Sequence, residues 1–293
     1  MVQDRIITVM GSPGSGKTTA SLKMALELAA GKKNVILVLC DPFTPVIPYI
    51  IPLPEEQESI GALLTAPVLT QKMILDSCIP VKENPYISLL GYRQGEGLMS
   101  YPQVTRERAV DFLVCLRYLA DYIIIDCSTV YEADVLSMVA MELADSLIKL
   151  GTSSMKGISY FESHRQMLSD SRYHPERQLM FIGNLREWQE WEAVSERYGG
   201  VDGMLPYVQE LERQHDEASL LEPLTGRESA GYMEGIRMLL GDLPGDDVDT
   251  VNKGRKGEAE KGKDRKKKKQ TRIKQEKRQP RLLLPFGRRR GEF

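Results

Sequence analysis

The residues best suited to do chemistry form a glycine-rich segment near the start of the chain, Gly11-Ser12-Pro13-Gly14-Ser15-Gly16-Lys17-Thr18. The segment matches the phosphate-binding pattern G-x-x-x-x-G-K-[ST] at every position. Glycines let backbone amides turn inward around phosphate oxygens, and Lys17 brings a positive charge to the β- and γ-phosphates. The hydroxyl of Thr18 is the expected ligand of Mg²⁺. The segment therefore predicts a site for a nucleoside triphosphate and its magnesium ion.

Two aspartates follow apolar runs that are typical of buried strands. Residues 122–125 are Tyr-Ile-Ile-Ile and lead into Asp126, the arrangement expected of an aspartate that holds Mg²⁺ through water. Asp41 follows the apolar run 35–40 and is a candidate to orient the attacking water, provided that its strand lies near the glycine-rich loop. Each aspartate can instead be an ordinary turn or cap residue, and Pro42 favours a turn at Asp41. The sequence predicts a metal role for Asp126 and a catalytic role for Asp41 beside Lys17.

Strand and helix patterns alternate along the chain and must position these residues. Apolar runs predict strands over residues 6–10, 35–40, 87–90, 122–125, 146–150 and 179–182. Helical spacing predicts helices over residues 18–30, 106–119, 133–143, 157–168 and 232–240. Residues 41–54 hold five prolines and are expected to form an irregular loop. The alternation predicts an α/β fold with a doubly wound, mainly parallel sheet, whose ligand site lies at the carboxyl ends of the strands.

The charge is distributed very unevenly along the 293 residues. Residues 251–293 hold 10 Lys and 8 Arg against 4 Glu and 1 Asp, a net charge of +13, which leaves −15 for the first 250 residues. A segment so rich in charge and poor in apolar side chains is expected to be disordered. We therefore predict a nucleotide-binding domain over residues 1–245 and a disordered basic tail over residues 246–293.

The tail contains one apolar cluster, residues 282–286, flanked by arginines. Such a cluster favours a short motif that docks on a protein partner, with peripheral membrane contact as the second reading. The basic residues could also grip nucleic acid, lie on anionic lipid, fold back on the acidic body, or only keep the chain soluble. Composition does not choose among these alternatives.

Other features limit the ligand and the compartment. The guanine-specific pattern N-K-x-D is absent from the candidate segment Asn184-Leu185-Arg186-Glu187, which argues against GTP. The three histidines lack metal-ligand spacing, and the four cysteines show no C-x-x-C pair. No apolar run approaches the roughly 18 residues of a membrane span. These features predict a cytoplasmic protein, with contact to the inner face of the membrane as an option through the tail.

Residues 1 to about 243 resemble the ParA/MinD family of ATPases, on the strength of the early phosphate-binding loop, Asp41 after the second strand, and the run that ends in Asp126. Within that family the chain is similar to the CpaE/TadZ-type proteins of Tad (Flp) pilus assembly. The segments that carry this narrower likeness are Ser59-Ile60-Gly61-Ala62-Leu63-Leu64, Leu89-Leu90-Gly91-Tyr92 and Ala144-Asp145-Ser146.

The resemblance implies a set of site residues. It implies Mg-ATP bound along Gly11 to Thr19, Asp41 as the catalytic carboxylate, and Asp126 as the metal aspartate. It further implies that Asn184 contacts the adenine and that the backbone at Pro206 packs beside the base. The cofactor-binding residues expected on this basis are Gly11, Pro13, Gly14, Ser15, Gly16, Lys17, Thr18, Thr19, Asn184 and Pro206.

The chain also departs from the family pattern. Ser12 stands where family members usually carry a lysine that reaches the partner's phosphates across a dimer. The segment after Asp126 lacks the usual proline two residues on, and Leu39 replaces a frequent acidic residue. The departures predict slow or lost hydrolysis and weaken the expectation of a homodimer that encloses nucleotide.

Three hypotheses of function follow. The first is an ATPase whose nucleotide state controls the localisation or assembly of a larger machine, such as a pilus or secretion apparatus. The second is a scaffold that binds ATP without hydrolysing it. The third, a small-molecule kinase, would need an arginine-bearing lid, for which Arg93, Arg106 and Arg108 are the available charges but no lid pattern is present.

Overall fold

The computed structural model describes residues 5–51 and 58–241. The strands are β1 (Arg5–Gly11), β2 (Val35–Leu39), β3 (Ile79–Val81), β4 (Asn84–Gly91), β5 (Tyr122–Asp126), β6 (Ser146–Gly151), β7 (Gln178–Leu185) and β8 (Gly203–Pro206). The α-helices are α1 (Lys17–Ala30), α2 (Ile60–Thr65), α3 (Gln71–Ser77), α4 (Arg106–Leu116), α5 (Val135–Leu143), α6 (Met155–Leu168), α7 (Trp191–Tyr198), α8 (Gln209–Asp216) and α9 (Ala230–Gly241).

The described strands form one sheet in the order β3-β4-β2-β5-β1-β6-β7-β8. Every neighbouring pair is parallel except β3 and β4, which form an antiparallel hairpin at the edge. The central strand β1 pairs with β5 on one side and with β6 on the other. The prediction of a doubly wound, mainly parallel α/β sheet is confirmed. The sheet order also places β5 between β1 and β2, so Asp41 is one strand further from the glycine-rich loop than Asp126.

Apolar side chains on both faces of the sheet form two hydrophobic cores. On β1, Ile6 and Met10 join the core beneath α4 and α5, while Ile7 and Val9 join the core beneath α1 and α9. Strands covered by helices on both faces are apolar at nearly every position, which explains the unbroken runs in β2 and β5. Burying one aliphatic side chain fully in these cores stabilises the folded state by about 1.5–3 kcal/mol relative to leaving it exposed.

Polar caps set the helix starts more exactly than hydrophobic spacing does. Asp134 accepts hydrogen bonds from the backbone of Leu136 and Ser137, so α5 begins at Val135 rather than at the predicted residue 133. Ser154 caps α6, which begins two residues before the predicted start. Helix α4 ends at Leu116 instead of residue 119, and the second strand ends at Leu39 instead of residue 40.

Several short elements were not predicted, namely α2, α3, β3, α7, β8 and α8. Each spans eight residues or fewer, too short for its periodicity to stand out from a loop. Residues 52–54 of the predicted proline-rich loop, the boundary near residue 245, the tail 246–293 and the apolar motif 282–286 lie outside the described residues. Among the described residues, no helix is long and apolar enough to cross a membrane.

Glu210, on α8, binds the segment that precedes α9. Its carboxylate accepts hydrogen bonds from the amide and hydroxyl of Thr225 at 2.8 and 2.9 Å, from the amide of Gly226 at 2.9 Å, and from the hydroxyl of Ser229. These bonds, with that of Ser229 the largest contributor, lower the pKa of Glu210 to about 2. A depressed carboxyl pKa means that the stabilisation is present above the unfolded pKa and is lost as pH falls through the folded pKa.

We expect Glu210→Gln to lower the melting temperature at pH 7, because an amide cannot accept all four bonds. The difference from wild type should shrink as pH falls from about 4.5 towards about 2, where the wild-type carboxylate is itself protonated. Thermal denaturation across that range, with the exposed Glu192→Gln as control, measures the effect. A pH-independent difference would contradict an ionised Glu210.

Candidate nucleotide-binding site

The glycine-rich loop lies between the end of β1 and the start of α1. Gly14 and Gly16 have φ of 71° and 85°, a left-handed conformation that glycine adopts without steric cost. A Cβ added to Gly11 would lie 2.3 Å from the carbonyl oxygen of Leu150 on β6. The loop therefore needs these three glycines for backbone reasons, and helix α1 directs its N-terminus towards any anion that the loop holds.

The structure brings Lys17, Thr18 and Asp126 together. The hydroxyl of Thr18 donates to Asp126 Oδ2 at 2.6 Å, because β1 and β5 pair in a register that places Val9 beside Asp126. The ammonium of Lys17 donates to Thr129 Oγ1 at 2.7 Å in the loop after β5. Thr129 was not predicted, and a single threonine in a loop carries no signal that the sequence alone would reveal.

Asp126 has the properties of a metal-binding carboxylate. It is 5% exposed, and its Oδ1 atom has no hydrogen-bond partner among the described residues. Burial raises the pKa of Asp126 to about 6, although the charge of Lys17 and the bond from Thr18 act in the opposite direction. A buried carboxylate oxygen beside a hydroxyl matches the hard oxygen ligands that Mg²⁺ prefers. The described residues contain no group of three His, Cys, Asp or Glu placed to hold a metal.

Asp41 lies at the same end of the sheet, but its oxygens are used locally. They accept from the amide of Phe43 at 2.9 Å and from the hydroxyl of Thr44 at 3.0 Å, which is the geometry of an aspartate-initiated turn. The hydroxyl of Ser128 also donates to Asp41 at 3.4 Å. The negative charge of Asp41 raises the pKa of Asp126, so the two carboxylates interact. The turn bonds of Asp41 are thus present in the structure, and its catalytic role stays a prediction.

Ser12 is fully buried, with its amide bonded to the carbonyl of Leu150 at 3.0 Å. Its hydroxyl has no partner among the described residues. A buried serine cannot reach into another subunit as a long lysine can, so the structure supplies no substitute for the missing lysine at this position.

A cavity of about 840 Å³ opens beside the loop and has the size of a nucleotide site. Its polar end is the run from Gly14 to Thr19 together with Gly183 and Asn184. The apolar walls come from the loop after β2, the end of β8, α8 with its following turn, and α9. The apolar wall residues are Val46, Tyr49, Ile50, Leu205, Val208, Leu211, Leu220 and Tyr232. Most were missed from the sequence because they come from several separate segments, which only the folded chain brings together.

Asn184 and the segment around Pro206 lie at this cavity. Asn184 lies near the end of β7, where the pairing with β8 shifts register, and has a φ of 53°. Its side-chain amide donates to the carbonyl of Gly14 at 2.8 Å. Leu205 and Tyr207 line the cavity, while Pro206 between them does not. Pro13 and Gly11 also lie outside the cavity wall. The predicted contacts of Asn184 and Pro206 with the base stay predictions.

An arginine stacked on aromatic rings stands at the mouth of the cavity. The guanidinium of Arg186 lies 3.9 Å from the ring centre of Tyr207 and 5.4 Å from that of Trp188. The hydroxyl of Tyr207 is bonded to Glu212 on α8. Cation–π contacts of this kind hold a guanidinium in place. The stack joins residues from two loops and could not be read from either one.

No protein-family model matches the chain, and no curated protein matches it in sequence. Solved structures do match in fold. The ParA family ATPase from Chlorobium tepidum TLS has a TM-score of 0.64 at 15% identity, covering 80% of this chain and 97% of that one. MinD from Pyrococcus horikoshii OT3, complexed with Mg-ADP, has a TM-score of 0.60 at 14% identity, covering 80% and 93%.

A putative plasmid partition protein from Borrelia burgdorferi B31, bound to AMPPNP, has a TM-score of 0.62 at 17% identity and covers 81% of this chain and 97% of that one. At such low sequence identity these similarities establish the fold alone. The chain therefore has the doubly wound α/β fold of the ParA/MinD ATPases.

Proposed function

We propose that this chain binds Mg-ATP and hydrolyses it slowly, as a ParA/MinD-type ATPase whose nucleotide state controls the localisation or assembly of a larger machine. The observation that carries the proposal is the bond between Thr18 and the buried Asp126, beside Lys17 and a nucleotide-sized cavity. The Mg-ADP and AMPPNP held by two proteins of the same fold support the ligand class.

Each residue has a separate task in this proposal. The loop amides and the N-terminus of α1 hold the phosphates, and Lys17 turns from Thr129 to the β- and γ-phosphate oxygens. Thr18 and Asp126 hold the magnesium ion. When bound, that ion neutralises charge that develops on the phosphate oxygens. Asp41 orients the water that attacks the γ-phosphorus and accepts a proton from it, while the bond from that phosphorus to the bridging oxygen breaks and ADP leaves.

The second candidate function is a scaffold that binds ATP without turning it over. It is favoured by one observation, the local bonds from Phe43 and Thr44 that occupy the Asp41 carboxylate. A kinase has less support. Arg106 pairs with Glu142 at 2.5 Å, Arg108 donates to the carbonyl of Pro67, and neither lines the cavity.

The pilus assignment and the partners rest on sequence alone. In the segments that resemble CpaE/TadZ proteins, Ser59 caps α2, and Gly61 lies against the ring of Tyr101. Asp145 accepts from the amide of Ile6 at 2.9 Å. These are packing roles, which a relative in another machine can share. We keep a pilus or secretion apparatus as the proposed machine, with a homodimer, or a protein, membrane or nucleic-acid contact through the basic tail, as the proposed partners.

The decisive experiment compares ATP binding and phosphate release for the full chain and for Asp41→Asn. We expect magnesium-dependent ATP binding by both proteins. Phosphate release should fall about a hundredfold in the variant, the size of effect typical of a lost general base. The exposed Asp111→Asn on α4 is the matched control and should behave as wild type.

The other outcomes separate the alternatives. Tight ATP binding by wild type without phosphate release, whatever candidate partner is added, supports the scaffold. Transfer of phosphate to a small-molecule acceptor supports the kinase. Failure of the wild-type chain to bind ATP contradicts the proposed function as a whole.

A further inference from the structure

Lys23 is a buried lysine on α1, close to the proposed ATP site but outside the phosphate-binding pattern. Its side chain is 1% exposed. Burying an ammonium group is costly unless its protons are all satisfied. The ammonium donates to Gln214 Oε1 at 2.7 Å, to the carbonyl of Leu220 at 2.7 Å and to the carbonyl of Glu222 at 2.8 Å. All three protons therefore have acceptors, and all three acceptors lie in one stretch of chain, residues 214–222.

That stretch contributes to the wall of the cavity. His215, Asp216 and Leu220 line the cavity, as does Leu211 one turn earlier on α8. Gln214 adds to the bracing, because its side-chain amide lies 3.4 Å from the carbonyls of Glu222 and Pro223. We call residues 211–222, from Leu211 to Glu222, the outer wall.

The outer wall also packs through Leu211 and Leu220 into the hydrophobic core that contains Leu22 of α1. It is a short helix followed by an irregular turn in which Ala218 has a φ of 54°, a conformation that non-glycine residues seldom adopt. The carboxylates of Glu210 and Glu222 attract the ammonium, although burial has the larger effect and lowers the pKa of Lys23 to about 8. Lys23 is thus mostly protonated near pH 7 and can donate all three bonds.

A hydrophobic side chain could fill the same space, so packing alone does not explain a lysine here. The directional bonds do something that packing cannot, since they fix the outer wall to the helix whose first residue is Lys17. We propose that Lys23 is a positioning residue that sets the outer wall at the distance required to receive the base and ribose of the nucleotide. This inference rests on the proposed ATP binding and adds a residue to that site.

Inorganic tripolyphosphate distinguishes a role of Lys23 in positioning the outer wall from a general effect on folding or on phosphate binding. It offers the phosphates of ATP to the glycine-rich loop but has no base or ribose to meet the outer wall. We expect Lys23→Met, which keeps the length of the side chain and removes its donors, to weaken ATP binding about ten- to a hundredfold, the effect of losing hydrogen bonds from a charged group. Binding of magnesium tripolyphosphate should change by less than about twofold.

The experiment is isothermal titration of both ligands into the full-length chain. Lys72→Met on α3, at a lysine that is 81% exposed, is the matched control and should change neither affinity. Gln214→Met removes one of the three acceptors and tests the same contact if Lys23→Met does not fold. This variant should lose less ATP affinity than Lys23→Met does, and its affinity for tripolyphosphate should likewise stay nearly unchanged.

The outcomes separate the inference from the function on which it rests. A selective loss of ATP affinity supports a positioning role for Lys23. Equal losses for ATP and tripolyphosphate, or no loss for ATP, overturn it while leaving the proposed function intact. A wild-type chain that binds tripolyphosphate but not ATP contradicts the proposed function and this inference together.

Discussion

Replacing Lys17 with alanine is expected to weaken ATP binding at least about a hundredfold. Lys17 is the cation of the glycine-rich loop, and in this structure its ammonium donates to the neutral hydroxyl of Thr129 and interacts with the charge of Asp126. A triphosphate offers stronger, charge-assisted bonds, each contributing about 1.5–3 kcal/mol, and two of them correspond to a hundredfold or more in affinity. The alanine side chain makes none of these bonds.

The variant should fold as the wild type does. Lys17 is the first residue of α1 and is only partly buried, and alanine is the best helix former. Equilibrium dialysis with labelled ATP measures the affinity, and the melting temperature without nucleotide checks the fold. Lys72→Ala on α3 is the control for loss of one positive charge. An unchanged ATP affinity in Lys17→Ala would show that nucleotide binds elsewhere or not at all.

The second large effect is expected at Gly183, on β7. A Cβ added to this glycine would lie 2.0 Å from the carbonyl oxygen of Ser15, in the middle of the phosphate-binding loop. Both groups belong to backbone, one in a paired strand and one in a tight loop, so neither can move aside as a flexible side chain would. Gly183→Ala must therefore push the loop away from β7. Overpacking of this kind typically lowers the free energy of unfolding by about 1–3 kcal/mol.

We therefore expect Gly183→Ala to lower the free energy of unfolding and to reduce ATP affinity at least about tenfold, because the displaced loop no longer presents its amides to the phosphates. Chemical denaturation and ATP titration measure the two effects. Gly231→Ala in α9 is the matched control, since its nearest neighbour would be Pro206 Cγ at 3.8 Å, an ordinary contact. If Gly183→Ala binds ATP as wild type does, the loop is not supported by β7 in the way described here.

The sequence alone determined the features that a short window of chain contains. The glycine-rich loop from Gly11 to Thr18 is one such feature, because its motif is complete within eight residues and Gly14 and Gly16 serve local backbone geometry. Asp126 is another, since an apolar run that ends in a carboxylate is complete within a few residues. The alternation of strands and helices determined the fold class, because burial on both faces of a parallel sheet imposes apolar runs that can be recognised without knowing the strand order.

The tertiary structure decided which distant residues meet. Lys17 and Thr129 are 112 positions apart, and Lys23 and Leu220 are 197 apart. Their contacts depend on the strand order, with β5 and β6 on either side of β1, and on how α8 packs near α1. The sequence around Gly183 does not distinguish it from other strand glycines; only the structure shows that it lies against Ser15 of the glycine-rich loop. Such contacts cannot be predicted from the type of one residue. They form between distant elements, whose arrangement depends on the packing of the hydrophobic cores on both faces of the sheet.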